Sequence, residues 1–135
     1  MNTPKEKNNQ PLIAIVDDDQ SFREALESLL KLIGFRTAIF TSARNFLDSP
    51  HFQNVACAIL DVSMPGMDGL ELQQHLVATH PIPVIFITDL RDAKTQELAL
   101  RAGAICFLNK PFNEKTLFDA LDSALRPERA SRLEQ

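Results

Sequence analysis

Asp17, Asp18 and Asp19 stand in a row directly after the apolar run Leu12–Val16, and Asp61 directly follows a second apolar run, Val55–Leu60. Thr88 closes a third run over residues 84–87, and Lys110 stands just beyond a fourth over 105–108. Two carboxylates about 5 Å apart repel by roughly 3 kcal/mol at an effective dielectric of 20, so a gathered set of acids requires a counter-charge. Hard carboxylate oxygens suit Mg²⁺, which takes a few carboxylates and keeps several waters. A hydroxyl and an ammonium nearby are groups that hold phosphoryl oxygens as charge develops in transfer. The chemistry to expect is metal-assisted handling of a phosphoryl group, provided the fold brings these segment ends together.

The elements between them say that it does. After the first run, Phe22, Ala25, Leu26, Leu29, Leu30 and Ile33 recur at helical spacing, and Gly34 supplies the stop. Residues 37–40 read as a second short strand, and Ser42 as the N-cap of a short helix through Leu47. Leu70, Leu72, Leu76 and Val77 mark a third helix closing near Pro81, and residues 92–102 a fourth, stopped at Gly103. Asn113 caps a last helix with Leu117, Leu121, Ala124 and Leu125 on one stripe. Strands that are apolar throughout are buried on both faces, as in a parallel sheet covered by helices. Strand alternating with helix argues for right-handed crossovers and an open, doubly wound α/β sheet. Ligands of such sheets sit beyond the carboxyl ends of the strands, where Asp17, Asp18, Asp61, Thr88 and Lys110 all fall.

Composition narrows the alternatives. A chain of 135 residues is one domain by length, assigned here to residues 11–126. With 18 acidic and 14 basic residues its net charge is −4, which argues against direct nucleic-acid binding through phosphate contacts. No Gly-rich phosphate loop is present, and with no Tyr there is no tyrosine chemistry. Cys57 and Cys106 lie in apolar runs as buried thiols do, and make no zinc motif. His51, His75 and His80 read as surface residues. Residues 1–10 lack an apolar core, so they read as a disordered lead-in rather than a signal peptide or membrane span, and the protein as cytoplasmic. Residues 127–135, opening on Pro127, read as a solvated tail or linker stub.

The motifs V-D-D-D at 16–19, L-D-V-S-M-P-G-M-D-G at 60–69, V-I-F-I-T at 84–88 and F-L-N-K-P-F at 107–112 carry a family resemblance. Over about residues 11–126 the chain resembles the receiver domain of bacterial two-component response regulators. A-G-A at 102–104 and the K-P-F ending resemble the branch often joined to a helix-turn-helix output domain. The resemblance implies a flavodoxin-like (βα)5 fold with strand order 2-1-3-4-5. It implies a signalling module, not an enzyme, whose Asp61 accepts a phosphoryl group from the phosphohistidine of a sensor histidine kinase or phosphotransfer protein. Mg²⁺ would be held by Asp18, Asp61 and the backbone carbonyl of Ser63, and by Asp17 through water. Lys110 would pair with Asp61 when free and with the phosphoryl group afterwards. Thr88 would move to hydrogen-bond that group, and Phe107 would be the aromatic that turns inward with it. The Lys110–Pro111 bond would be cis. Met64, Pro65, Gly66, Asp68 and Gly69 read as structural, the glycines for unusual backbone angles and Asp68 as a helix cap; Asp19 reads as a solvent-facing turn residue.

One position departs from the pattern: Asp89 stands where receivers usually carry a small residue. There, a further carboxylate would narrow access to Asp61, repel an anionic phosphodonor or prolong the phosphoryl group's lifetime by excluding water, or else simply point outward; Ser63 and Leu90 are two more variable positions near the site, where receivers tune dephosphorylation. The resemblance also implies an output surface made by the fourth helix, fifth strand and fifth helix, used for a homodimer or a target. On the fourth helix Lys94, Leu98 and Arg101 share one face by spacing, which reads equally as an ordinary solvated face. Two other functions stay open on the residues alone. One is a receiver used as a phosphorylation-independent binding module. The other is a haloacid-dehalogenase-like phosphatase with Asp17 as nucleophile, although no late acidic pair is present for it.

Overall fold

A computed structural model describes residues 10–126. The expected lead-in, apart from Gln10, and the expected tail over 127–135 lie outside the described residues. The chain runs β1 (Leu12–Val16), α1 (Gln20–Leu32), β2 (Arg36–Phe40), α2 (Ala43–Leu47), a 3-10 turn (Phe52–Asn54), β3 (Val55–Leu60), α3 (Gly69–Thr79), β4 (Val84–Thr88), α4 (Ala93–Arg101), β5 (Cys106–Asn109) and α5 (Glu114–Ala124). The five strands form one sheet in the order β2-β1-β3-β4-β5, parallel throughout, as the resemblance implied.

Side chains alternate across each strand, so every central strand feeds two cores. Ile13, Ile15, Ile59, Ile85 and Ile87 face one side, where they meet Leu26 and Leu30 of α1 and Leu117 and Leu121 of α5. Ala14, Val16, Ala58, Leu60 and Phe86 face the other, against Phe46 of α2, Leu72 and Leu76 of α3 and Ala99 of α4. β1 and β4 are buried along their whole length, whereas the edge strands β2 and β5 are half-exposed. Cys57 is buried, but Cys106, on edge strand β5, is only half-buried.

Each helix begins on a side-chain cap that satisfies an orphan backbone N–H. Asp19, Ser42, Asp68, Asp92 and Asn113 fill these positions, and Asp68 and Glu71 form a reciprocal capping box. Asp19 is therefore more than a turn residue: it starts α1 from the rim. Two further expectations need correction. Val77 is 56% exposed, because the buried stripe of α3 runs through Gly69, Leu72, Gln73 and Leu76, and Val77 lies one residue past it. His80 is half-buried rather than on the surface, its ring 4.8 Å from that of Phe52.

Candidate functional site

The carboxyl ends of β1 and β3 are adjacent in the sheet, so the residues that follow them must meet. Asp61 N–H donates to the Val16 carbonyl at 3.0 Å, and Asp17 N–H to the Phe40 carbonyl at 3.1 Å, which continues the ladders onto the rim. Asp17 and Asp61 are buried and Asp18 is exposed; one oxygen from each lies within 4.8 Å of the others. Arg23 Nη1 donates to the Asp17 carbonyl at 2.8 Å, and Asp19 N–H to Asp17 Oδ1 at 2.9 Å. Ser63 N–H donates to Asp61 Oδ1 at 3.3 Å.

Gly69 explains how the loop after β3 folds back. A Cβ there would collide with the Asp61 carbonyl oxygen and come within 2.9 Å of Val62 Cα. The glycine is needed for close approach rather than for an unusual backbone angle, which corrects the sequence reading. Gly66, at φ +77, does take the left-handed conformation expected of it.

Lys110 closes the site from β5. Its N–H donates to the Thr88 carbonyl at 2.9 Å, and the Lys110–Pro111 bond is cis as expected. Its ammonium lies 2.9 Å from Asp17 Oδ2 and 4.0 Å from Asp61 Oδ2. The expected partner of the free side chain was Asp61; the nearer one is Asp17. Both carboxylates are buried, Asp17 1% and Asp61 6% exposed, so Lys110 spans two desolvated anions and lies closer to Asp17. Burial pushes the Asp17 carboxyl above its ordinary value, although the Asp19 N–H and Lys110 oppose this, and the charge of Asp61 adds to the rise. For Lys110, burial pulls downward, but the hydrogen bond to Asp17 and the charges of Asp17, Asp61 and Asp89 outweigh it and raise the ammonium's pKa. The site thus keeps one permanent cation against three carboxylates. Hard oxygen donors, one of them open to solvent, fit Mg²⁺ with its retained waters.

Thr88, at the end of β4, is fully buried, and its Oγ1 accepts from Leu90 N–H at 3.2 Å. Phe107 is buried, with its ring 5.8 Å from that of Phe86. Ser63, Asp89 and Leu90 are exposed around the rim, and Asp89 is close enough for its charge to act on Lys110. Lys94, Leu98 and Arg101 are all exposed on α4; Arg101 spends its charge on Glu97 at 2.8 Å along the same helix. Asp17 is held by Lys110 and the Asp19 N–H, and Asp19 is engaged as a helix cap, so nothing in the geometry favours Asp17 as a phosphatase nucleophile.

Sequence reasoning missed several groups. The Lys110 ammonium sits 4.1 Å from the centroid of the Phe22 ring, which Phe112 meets edge-on at 6.1 Å. Asn109 Nδ2 donates to the Leu90 carbonyl at 2.8 Å and the Thr88 carbonyl at 3.3 Å, and Arg91 Nη2 to the Lys110 carbonyl at 2.9 Å. These straps tie the loop after β4 to that after β5. They join residues 19 or more positions apart, and Phe22 carries the same signal as any helical core residue.

Comparison with known proteins agrees with this geometry. The profile described as "Response regulator receiver domain" matches residues 13–122. The chain is 43% identical over 118 residues to the response regulator protein TmoT of Ectopseudomonas mendocina, covering 87% of this chain and 54% of that protein. It is 36% identical over 115 residues to the transcriptional regulatory protein FixJ of Bradyrhizobium diazoefficiens, covering 84% and 56%. The chain spans about half the length of these relatives. Among solved structures, the response regulator StyR superposes with a TM-score of 0.80 at 42% identity, covering 93% of this chain and 65% of that one. The structure titled FixJ-N superposes with a TM-score of 0.76 at 31% identity, covering 87% and 94%.

Proposed function

The chain belongs to the response regulator receiver family, and from that premise we propose that Asp61 is its phosphoacceptor. The observation that supports this most is the placement of Asp61: its carboxylate shares a 4.8 Å cluster with Asp17 and Asp18 and lies 4.0 Å from the Lys110 ammonium. One Asp61 oxygen attacks the phosphorus of a phosphohistidine. The new O–P bond forms as the P–N bond breaks, and the imidazole leaves with the electron pair and takes a proton from solvent. Asp18, Asp61 and the Ser63 carbonyl would hold Mg²⁺, with Asp17 acting through water. When bound, the metal supplies charge neutralisation at the phosphoryl oxygens.

The remaining residues act after attack. Lys110 leaves Asp17 for the phosphoryl oxygens, since a dianion competes well for the ammonium. The Thr88 hydroxyl turns to donate to the same group, and its departure from Leu90 N–H lets the loop after β4 move while Phe107 fills the space behind. The phosphoryl group adds charge and acceptors among donors, and so biases a two-state element. The surface of α4, β5 and α5, with Lys94, Leu98 and Arg101, then serves a homodimer or a target. Asp89 repels incoming anionic donors at the rim. The reading makes residues 11–126 a cytoplasmic receiver unit that catalyses only its own phosphorylation and dephosphorylation. Its partner upstream is a sensor histidine kinase or phosphotransfer protein, and it contacts neither nucleic acid nor membrane directly. Among the described residues no helix is long and apolar enough to cross a membrane.

Intact-mass measurement after incubation with Mg²⁺ and acetyl phosphate tests the assignment. One added phosphoryl group, absent in Asp61→Ala and after metal chelation, is expected; no addition to the wild type, with acetyl phosphate or a range of kinases, overturns it. Asp89→Ala should label faster than wild type, and equal rates would remove the role given to Asp89.

A further inference from the structure

Four contacts close into a ring around the first turn of α1. Asp19 N–H donates to Asp17 Oδ1 at 2.9 Å, and Asp19 Oδ1 accepts from Phe22 N–H at 3.3 Å. The Phe22 ring lies 4.1 Å from the Lys110 ammonium, and that ammonium returns to Asp17 Oδ2 at 2.9 Å. The helix cap that fixes Phe22 is therefore built from the same acidic run that forms the site. Phe112 packs against Phe22 as well, at an interplanar angle of 79°.

From this geometry we infer that Phe22 is a positioning residue for phosphoryl transfer, its ring face serving as the seat of the Lys110 ammonium; the inference rests on the role proposed above for Lys110. The Lys110 side chain is only 11% exposed, and a desolvated cation is drawn strongly to an aromatic face. An aromatic face also differs from a carboxylate in what it leaves free. It attracts the charge without accepting a conventional hydrogen bond, so all three N–H donors stay available to oxygens. A third carboxylate in that place would compete with the phosphoryl group for Lys110. An aliphatic side chain would fill the space but leave the ammonium with the carboxylates as its only support. The ring keeps Lys110 between Asp17 and Asp61 and lets it pass from carboxylate to phosphoryl oxygens without losing its support.

Replacing Phe22 alone by 4-fluoro-, 3,5-difluoro- and pentafluorophenylalanine weakens the negative face in steps at nearly constant shape. The rate of phosphoryl addition from acetyl phosphate with Mg²⁺ should fall in the same order, by roughly 3- to 30-fold at the last step. Thermal midpoints should stay close to wild type across the series. Phe22→Leu should be slow as well, while Phe22→Trp, with a stronger face, should retain most of the rate. A pentafluoro variant that folds and is labelled at the wild-type rate overturns the inference, as does a Phe22→Leu rate equal to wild type. A wild type that takes no phosphoryl group at all overturns the phosphoacceptor reading instead, whatever the variants do. In that case a nuclear Overhauser contact between the Phe22 ring protons and the Lys110 Hε protons still decides whether the seat exists in the resting protein, and its absence refutes it.

Discussion

Helices α4 and α5 follow neighbouring strands and are similar in length, yet the sheet holds them very differently. α5 buries Leu117, Ala120, Leu121 and Ala124 in the core shared with α1. α4 buries only Ala99 and leaves Leu98 and Leu100 47% and 42% exposed. Each fully buried leucine contributes about 1.5–3 kcal/mol, so α5 is fixed by the hydrophobic effect and α4 is not. α4's main polar anchor is specific: Gln73 of α3, itself buried, donates through Nε2 to the Ala99 carbonyl at 2.9 Å. A molecule that must move a surface in response to a small chemical event benefits from this asymmetry. On one face of the sheet α5 is a foundation; on the other, α4 is held chiefly by the buried Ala99 methyl and by the amide of Gln73 from α3.

The largest break in this comparison is expected on the foundation. Leu121→Ala should cost about 2–5 kcal/mol in urea unfolding, as buried large-to-small changes do. Gln73→Leu should cost about 1 kcal/mol, the usual net worth of a hydrogen bond. Its diagnostic effect is local: amide exchange should quicken in α4 and stay unchanged in α5, and a uniform change would contradict the asymmetry. Asp17→Asn probes the rim that both helices serve. The Asp17 pKa is raised in the folded state, so its contribution to stability is full below the ordinary value of 3.8 and is lost as pH rises through the folded value. Asp17→Asn should therefore flatten this part of the pH dependence, its melting temperature relative to wild type improving as pH rises from 4 to 7, while weakening Mg²⁺ binding. The smallest effect belongs to α4: Leu98→Ser should change global stability by less than about 0.5 kcal/mol, as exposed substitutions do, and show itself only in self-association or target binding.

The same contrast sets how much was legible beforehand. The strand ends could be read because apolar runs and the polar residues that stop them are local signals. The five helix starts could be read in part from their caps, and the motifs placed Asp61, Thr88 and Lys110 together. What escaped was decided by contacts between distant segments. Gly69 reads as a turn glycine, and only the packing of its Cα against Asp61 and Val62 shows that it is there for closeness. Gln73 reads as the polar side of α3 until α4 covers it. Phe22 reads as core until Lys110, 88 positions later in number, is brought over its ring. That Lys110 lies 2.9 Å from Asp17 and 4.0 Å from Asp61 is a matter of side-chain placement, which no spacing encodes.

Thr88 sits between the fixed and the lightly held parts, and its surroundings decide what can move there. Its carbonyl accepts from Lys110 N–H and Asn109 Nδ2, so its backbone is pinned at the end of a fully buried strand. What remains free is rotation about χ1, which for a β-branched residue has few wells. The loop beyond it is strapped down, because Arg91 and Asn109 must let go of the Lys110 and Leu90 carbonyls before residues 89–92 can shift. If Thr88 is the switch proposed above, the loop can follow its hydroxyl only once these two hydrogen bonds, which do not involve the acidic cluster, have opened.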